Sequence, residues 1–168
     1  MWTELGAPPV PGLALRETTP QDEPFLRDLY HDVRLPELVP TGWDEATKRA
    51  FTDSQFTLQD RYYRGNYRGA RFLVIEEGGA RVGRLYLHAR EKELRVMEIS
   101  IVPARRNGGL GTAIFRSLQE AAALAGRALT LSVETFNPVR RLYARLGFVE
   151  SPPDGIYLEM RWDPPSRD

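Results

Sequence analysis

The chain has 168 residues, which is enough for one well-buried domain and too few for two ordinary ones, so we predict a single domain over residues 1–168. Its 23 basic and 23 acidic residues give a formal net charge of zero, which argues against nucleic acid or a membrane surface as the main partner. The absence of cysteine excludes disulfides, thiolate metal sites and cysteine nucleophiles.

The two ends of the chain show little patterning. Residues 1–12 carry three prolines and lack the basic and apolar regions of a secretory signal. We expect this segment and residues 163–168 to be flexible ends. Because no apolar run approaches the length that spans a bilayer, the sequence favours a cytoplasmic protein with no membrane partner.

In chain order, the first predicted elements are one strand and two helices. The strand covers residues 13–18, and the first helix follows it over residues 21–31. Two prolines and a glycine predict a turn or loop over residues 35–43. The second helix is expected over residues 44–63, where apolar residues recur at helical spacing.

After the second helix the hydrophobic period changes to that of strands. Two short apolar runs joined by Gly78-Gly79 predict a hairpin. A longer strand follows over residues 94–102. Strict alternation along this strand would place Val96, Glu98 and Ser100 on one face of the sheet.

The last part of the chain alternates helices and strands. We predict a helix over residues 109–125, a strand over residues 129–134, a short helix over residues 138–146 and a closing pair of strands. The predicted order is therefore β-α-α-β-β-β-α-β-α-β-β. This order indicates a fold of the α/β (α+β) class, in which helices cover both faces of a mixed, largely antiparallel sheet.

A glycine-rich junction connects the long strand to the next helix. Its sequence over residues 102–112 is VPARRNGGLGT. Gly108, Gly109 and Gly111 let the main chain bring successive N–H groups close to a ligand, and the helix N-terminus adds positive partial charge. An anion such as a diphosphate is the expected ligand.

Two common nucleotide-binding loops fit this junction poorly. A P-loop requires a lysine before its final serine or threonine, but Thr112 follows Gly111 directly. A dinucleotide-binding fingerprint would use Gly109, Gly111 and an acid at Glu134, but Ile114 occupies its third glycine position. Too few strand–helix units follow for a doubly wound sheet.

Two segments of the chain resemble motifs of one family. Arg106-x-x-Gly109-x-Gly111 resembles the acyl-CoA signature R/Q-x-x-G-x-G/A of the GNAT superfamily of N-acyltransferases. Residues 137–148, NPVRRLYARLGF, resemble that family's N-P-A-x-x-L-Y-x-x-L-G-F and depart from it only in a valine in place of alanine. One helix and one strand separate the motifs, as in the family, so the resemblance spans about residues 70–162.

The resemblance implies a function and a donor. It implies a GNAT-like fold and transfer of the acetyl group of acetyl-CoA to a primary amine of a small molecule or peptide, by direct attack in a ternary complex. It places the diphosphate on the loop backbone and the pantetheine arm beside the main chain of the preceding strand. The implied cofactor-binding residues are Ile101, Val102, Arg106, Asn107, Gly108, Gly109, Leu110, Gly111, Thr112 and Asn137. Asn137 could equally cap the helix that follows it.

The catalytic residues implied by the resemblance are Tyr143 and Glu98, and no metal is required. Tyr143 would protonate the departing thiolate, because a phenol with a pKa near ~10 suits that task. Packing in the core is its alternative role. Glu98 is a candidate base acting directly or through a water, although it could equally pair with an arginine, and His88 is an alternative base.

Three further questions stay open at the level of sequence. A noncatalytic CoA-binding or regulatory module with the same fold is one alternative function. A nucleic-acid-interaction domain is another, since arginines and tyrosines interleave near the end of the second helix. A homodimer is compatible with the chain, because many members of the family pair through the edges of their sheets.

Overall fold

The structure is a computed structural model that describes residues 2–166. The described residues form seven strands: β1 (Leu13–Glu17), β2 (Arg71–Glu77), β3 (Ala80–Ala89), β4 (Glu93–Ile101), β5 (Ala128–Glu134), β6 (Val149–Glu150) and β7 (Tyr157–Trp162). The same residues form four α-helices: α1 (Glu23–Leu38), α2 (Glu45–Asn66), α3 (Leu110–Leu124) and α4 (Arg140–Arg145). The predicted order of strands and helices is confirmed.

All seven strands lie in one sheet with the order β1-β2-β3-β4-β5-β7-β6. Its neighbouring strands are antiparallel except β4 and β5, which are parallel and pair residues 93–96 with residues 128–131. Beyond this pairing, residues 97–101 of β4 and residues 132–134 of β5 continue as strands without pairing to each other. We refer to the gap between these two segments as the notch.

Helices cover both faces of the sheet, as predicted. On one face, α3 packs on the strands in a large apolar cluster that includes Leu73, Ile75, Leu85, Leu87, Ile114, Phe115 and Leu118. On the other face, α1 and α2 pack together around a smaller cluster of Leu26, Tyr30 and Phe56. The sheet therefore has an α3 face and an α1–α2 face.

Strand β4 does not alternate strictly along its length. Glu98 pairs with Tyr86 of β3, whereas Val96 pairs with the next residue, Leu87. The extra residue, Met97, forms a β-bulge that reverses the alternation. As a result, Val96 is buried in the large cluster on the α3 face while Glu98 contacts α2. The expectation that Val96 and Glu98 share a face is wrong for this reason.

The connection between α1 and α2 is more helical than predicted. Helix α1 continues through Pro36 to Leu38, and a 3₁₀ turn over Val39–Thr41 follows. Because Pro36 lies only two residues before the end of α1, the hydrogen bond that it cannot donate is one of the last in the helix. The predicted loop over residues 35–43 is therefore wrong over its first four residues.

The segment before β1 also differs from expectation. Within residues 2–12, Trp2, Ala7 and Val10 are buried in the large cluster, and the Trp2 indole Nε1 donates a hydrogen bond of 3.1 Å to the carbonyl of Leu13. The sequence predicted a flexible segment here, but the burial of these apolar groups attaches it to the core. Residues 163–168 were also expected to be flexible, and two of them, residues 167 and 168, lie outside the described residues.

Candidate active site

The glycine-rich junction forms a row of backbone amides between β4 and α3. Asn107 and Gly109 take left-handed conformations, with φ of 60° and 82°. Within the described residues, none of the backbone N–H groups of residues 107–112 donates a hydrogen bond, and three of them lie in the first turn of α3. A Cβ built on Gly109 would meet no atom within 4 Å. Gly109 thus has open space around it, next to a row of unpaired donors of the kind that an anion site uses.

Two arginine side chains of this junction form hydrogen bonds with neighbouring strands. The Arg106 Nε donates to the carbonyl oxygen of Ile101 at 2.9 Å. The neighbouring Arg105 donates through Nη2 to Oε2 of Glu77 at 2.7 Å. Each guanidinium thus has one nitrogen engaged within the protein, and the backbone amides of the junction are unpaired donors beside them.

Of the two residues at the end of β4 whose main chain was expected to bind the cofactor, Ile101 and Val102, only one has a free N–H facing the notch. The N–H of Val102 donates to the carbonyl of Val82 on β3 at 2.9 Å, and the carbonyl of Val102 accepts from the N–H of Arg105 at 3.0 Å. Since neighbouring N–H groups point to opposite edges of a strand, the N–H of Ile101 faces away from β3, toward the notch. Ile101 can therefore pair with an extended ligand, whereas Val102 is already paired.

Glu98 projects from β4 into a polar network beneath α2. Its Oε1 accepts hydrogen bonds from Gln59 Nε2 at 3.0 Å and from the Tyr63 hydroxyl at 2.8 Å. Arg84 on β3 donates through Nη2 to Gln59 Oε1 at 3.1 Å, and the same nitrogen lies 3.6 Å from Glu98 Oε2. The expectation that Glu98 could pair with an arginine is met, and its side chain remains 24% exposed.

Gln59 and Arg84 were missed by sequence reasoning. Arg84 stands between apolar residues of β3, and an arginine inside such a run indicates a buried charge that needs a partner. Gln59 offered no comparable signal, because a glutamine on an amphipathic helix is ordinary.

Tyr143 of α4 is buried against aromatic rings on the α3 face. Its ring centroid lies 5.0 Å from that of Phe115 and 5.8 Å from that of Phe148. Burial raises the pKa of the Tyr143 hydroxyl, and the negative charges of Glu98 and Glu134 raise it further. The hydroxyl therefore keeps its proton at neutral pH and lies within electrostatic reach of both strands that border the notch.

Asn137 shapes the chain where it enters α4. Its Oδ1 accepts from the N–H of Val139 at 3.0 Å, and its Nδ2 donates to Oε2 of Glu134 at 3.3 Å. The first contact is a turn that orients the start of the helix. The N-cap of α4 is Val139, without a side-chain capping bond, so Asn137 forms a turn just before the helix and not the helix cap that the sequence left as an alternative.

The remaining candidate base, His88, is engaged elsewhere. Its Nε2 lies 3.1 Å from the carbonyl oxygen of Arg68, and its Nδ1 accepts from Arg90 Nε at 3.2 Å. Both ring nitrogens therefore already have partners in the protein. In the part of the chain that the structure describes, no group of three or more His, Cys, Asp or Glu side chains could hold a metal ion.

Comparison with known families decides the classification. Residues 68–150, which contain the loop, Glu98 and Tyr143, match a family model described as acetyltransferase (GNAT) domain. This part of the chain belongs to the GNAT superfamily. It is an acetyltransferase domain, and the seven-stranded mixed sheet is the GNAT fold.

Solved acetyltransferase structures resemble the chain well beyond the family match. The PaiA N-acetyltransferase of Thermoplasma acidophilum, in complex with coenzyme A, has 14% identity and a TM-score of 0.66, covering 90% of this chain and 98% of its own. An acetyltransferase of Thermus thermophilus has 21% identity, a TM-score of 0.62 and coverages of 90% and 96%. A point mutant of the spermidine N-acetyltransferase SpeG of Vibrio cholerae has 21% identity, a TM-score of 0.60 and coverages of 90% and 94%.

These structural likenesses extend the GNAT fold over the helices α1 and α2 that precede the family match. No curated protein sequence matches the chain significantly. Within residues 2–166, no helix has both the length and the apolar character needed to cross a membrane.

Proposed function

We propose that the protein is an acetyl-CoA-dependent N-acetyltransferase that acetylates a primary amine of a small molecule or peptide by direct attack in a ternary complex. The observation that carries this proposal is the row of unpaired backbone amides over residues 107–112, beside the notch. The GNAT family match supports acetyl transfer. The CoA complex of PaiA supports the donor, and the spermidine acetyltransferase SpeG supports an amine acceptor.

The residues present fit a CoA thioester. The amides of residues 107–112 would hold the diphosphate, because they combine free N–H donors with the positive end of the α3 dipole. The N–H of Ile101 would pair with the amide-containing arm along the open edge of β4. Acetyl-CoA supplies an acetyl thioester that is reactive toward amines.

Glu98 would accept a proton from the amine, and Tyr143 would donate one to the leaving group. An alkylamine with a pKa near ~10 is protonated at neutral pH and must lose a proton before it attacks, and Glu98 would accept it directly or through a water. Tyr143 would donate the proton of its buried hydroxyl to the departing sulfur as the C–S bond breaks and the C–N bond forms. The protein also holds both substrates together, which is itself a large contribution to rate.

The loop assignment is tested by Gly109→Val. A valine at this position adds a branched side chain in the open space at Gly109, within the row of amides. We expect the affinity for acetyl-CoA, measured by isothermal titration calorimetry, to fall at least about a hundredfold, because several charge-assisted hydrogen bonds of about 1.5 to 3 kcal/mol each are displaced.

Gly126→Val is the matched control. Gly126 also has a left-handed φ, 65°, and its Cβ would also meet no atom within 4 Å, but it lies at the opposite end of α3. Both variants carry a similar backbone strain of about 1 to 2 kcal/mol, so their stabilities should be comparable. Equal affinity for acetyl-CoA in both variants would contradict the loop assignment.

A further inference from the structure

The polar network around Glu98 contains a buried charge that depends on Glu98. The Arg84 side chain is 3% exposed and lies against the rings of Tyr30 and Tyr86, at 5.8 and 4.8 Å from their centroids. Its Nε and Nη1 have no hydrogen-bond partner within the described residues. Burial opposes the charge of Arg84, but Glu98 together with Tyr86 and Tyr63 outweighs it, so the pKa of the guanidinium is raised.

The network leaves one carboxylate oxygen of Glu98 without a hydrogen bond from the described part of the chain. Oε1 accepts two hydrogen bonds from α2, whereas Oε2 accepts none within the described residues and has only the 3.6 Å approach of Arg84. An ionised carboxylate can accept about four hydrogen bonds. Oε2 therefore retains the capacity to accept a proton or to bind a water.

Charged and titratable groups face Glu98 from every element packed around it. Arg84 approaches from β3, Tyr63 from α2, and Arg34 of α1 and Tyr143 of α4 interact with it electrostatically. Burial raises the pKa of the Tyr63 hydroxyl and the charge of Glu98 raises it further, so this hydroxyl is a hydrogen-bond donor at neutral pH. A donor that stays protonated fixes the orientation of the carboxylate.

We propose that Gln59, Tyr63 and Arg84 are positioning residues that act through Glu98. Gln59 and Tyr63 hold Oε1 in place, and Arg84 compensates the charge of the carboxylate from beneath. Oε2 is thereby presented to the amine of the acceptor in one orientation, which a flexible glutamate side chain alone would not maintain. This inference rests on the proposed function, because it requires Glu98 to take the proton of the acceptor.

A double-mutant cycle tests the proposal by steady-state thiol release from acetyl-CoA. The acceptor is the fastest amine from a panel of spermidine, alanine, an aminoglycoside and an alanine-terminated tripeptide. Tyr63→Phe and Gln59→Leu should each lower kcat roughly ten- to a hundredfold, because each removes a hydrogen bond to a charged group, while KM for acetyl-CoA stays unchanged. In a Glu98→Gln background, the same two changes should lower kcat less than about twofold.

Two further comparisons complete the experiment. Tyr62→Phe removes the same hydroxyl from the adjacent, exposed tyrosine of α2 and should leave kcat unchanged. Arg84→Lys retains the charge and should keep more of kcat than Arg84→Met, with the folding of each checked by thermal denaturation.

The outcomes separate this inference from the proposed function. If Glu98→Gln is slow but Tyr63→Phe and Gln59→Leu are as fast as the original protein, or if they lose equal activity in both backgrounds, the positioning role is overturned. If Glu98→Gln is as fast as the original protein, the assignment of Glu98 as the base fails, and the positioning role fails with it. If no amine of the panel supports turnover, the proposed function itself fails.

Discussion

The two faces of the sheet are stabilised by different kinds of interaction. On the α3 face, side chains such as Leu73, Leu85 and Leu118 are 0% exposed within one continuous apolar cluster. On the α1–α2 face, the apolar cluster is small, and buried charges such as Asp22 and Arg84 lie beside it. Apolar burial is non-directional, whereas a buried charge requires partners at defined positions. The α3 face therefore contributes most to stability, and the α1–α2 face holds buried charges in fixed geometry, one of which, Arg84, lies next to Glu98 of β4.

The largest expected effect is on the α3 face. Leu118→Ala should lower the free energy of unfolding by about 3 to 5 kcal/mol, because it removes a fully buried side chain and leaves a cavity. The control is Leu124→Ala on the same helix, where the side chain is 71% exposed and the change should be within about 0.5 kcal/mol. Urea denaturation measures both, and similar losses would contradict the assigned packing of α3.

A somewhat smaller effect is expected from the buried carboxylate of the other face. The side chain of Asp22 is 0% exposed. Its carboxylate accepts two hydrogen bonds from Arg16, at 2.7 and 2.8 Å, and one from the N–H of Thr19 at 2.7 Å. It also forms an ion pair of 2.9 Å with Arg81. Asp22→Asn removes the charge with little change of shape. We expect a loss of about 2 to 3 kcal/mol by urea denaturation at pH 7, which is below the range for a fully buried pair because both arginines are about one third exposed.

The contribution of Asp22 should also depend on pH. The hydrogen bonds from Arg16 outweigh the effect of burial and, with the Thr19 amide and the charge of Arg81, hold the pKa of Asp22 well below its usual range. A lowered folded-state pKa gives stability that is complete above the unfolded value of about 3.9 and is lost as the pH falls below it. The difference between the original protein and Asp22→Asn should be constant from pH 7 to 5 and shrink below about pH 4. A difference that grows on acidification would contradict this origin.

The same contrast between faces explains what could be predicted from sequence. The apolar cluster comes from periodic leucines and isoleucines, and the order of strands and helices was predicted from that period. The amide row was predicted from glycines in a motif. These features are local or repetitive, so a single segment of sequence contains the information.

What escaped prediction depends on contacts between distant segments. Gln59 and Glu98 are 39 residues apart, and their contact requires the fold to bring α2 over β4. The bulge at Met97 decides which face Glu98 occupies relative to Val96, and strict alternation gave no sign of it. Trp2 is buried because the first segment returns to the core, which its prolines did not indicate.

The smallest effect on stability is expected at Tyr143, a residue of the apolar cluster that carries a polar group. Tyr143→Phe keeps the contacts with Phe115 and Phe148, so the free energy of unfolding should change by less than about 1 kcal/mol. If its hydroxyl protonates the departing sulfur, kcat should nevertheless fall roughly a hundredfold or more. Tyr157→Phe, at an exposed tyrosine of β7, should change neither quantity. Unchanged kcat in Tyr143→Phe, with the chemical step limiting turnover, would leave Tyr143 with a packing role alone and make the α3 face purely structural.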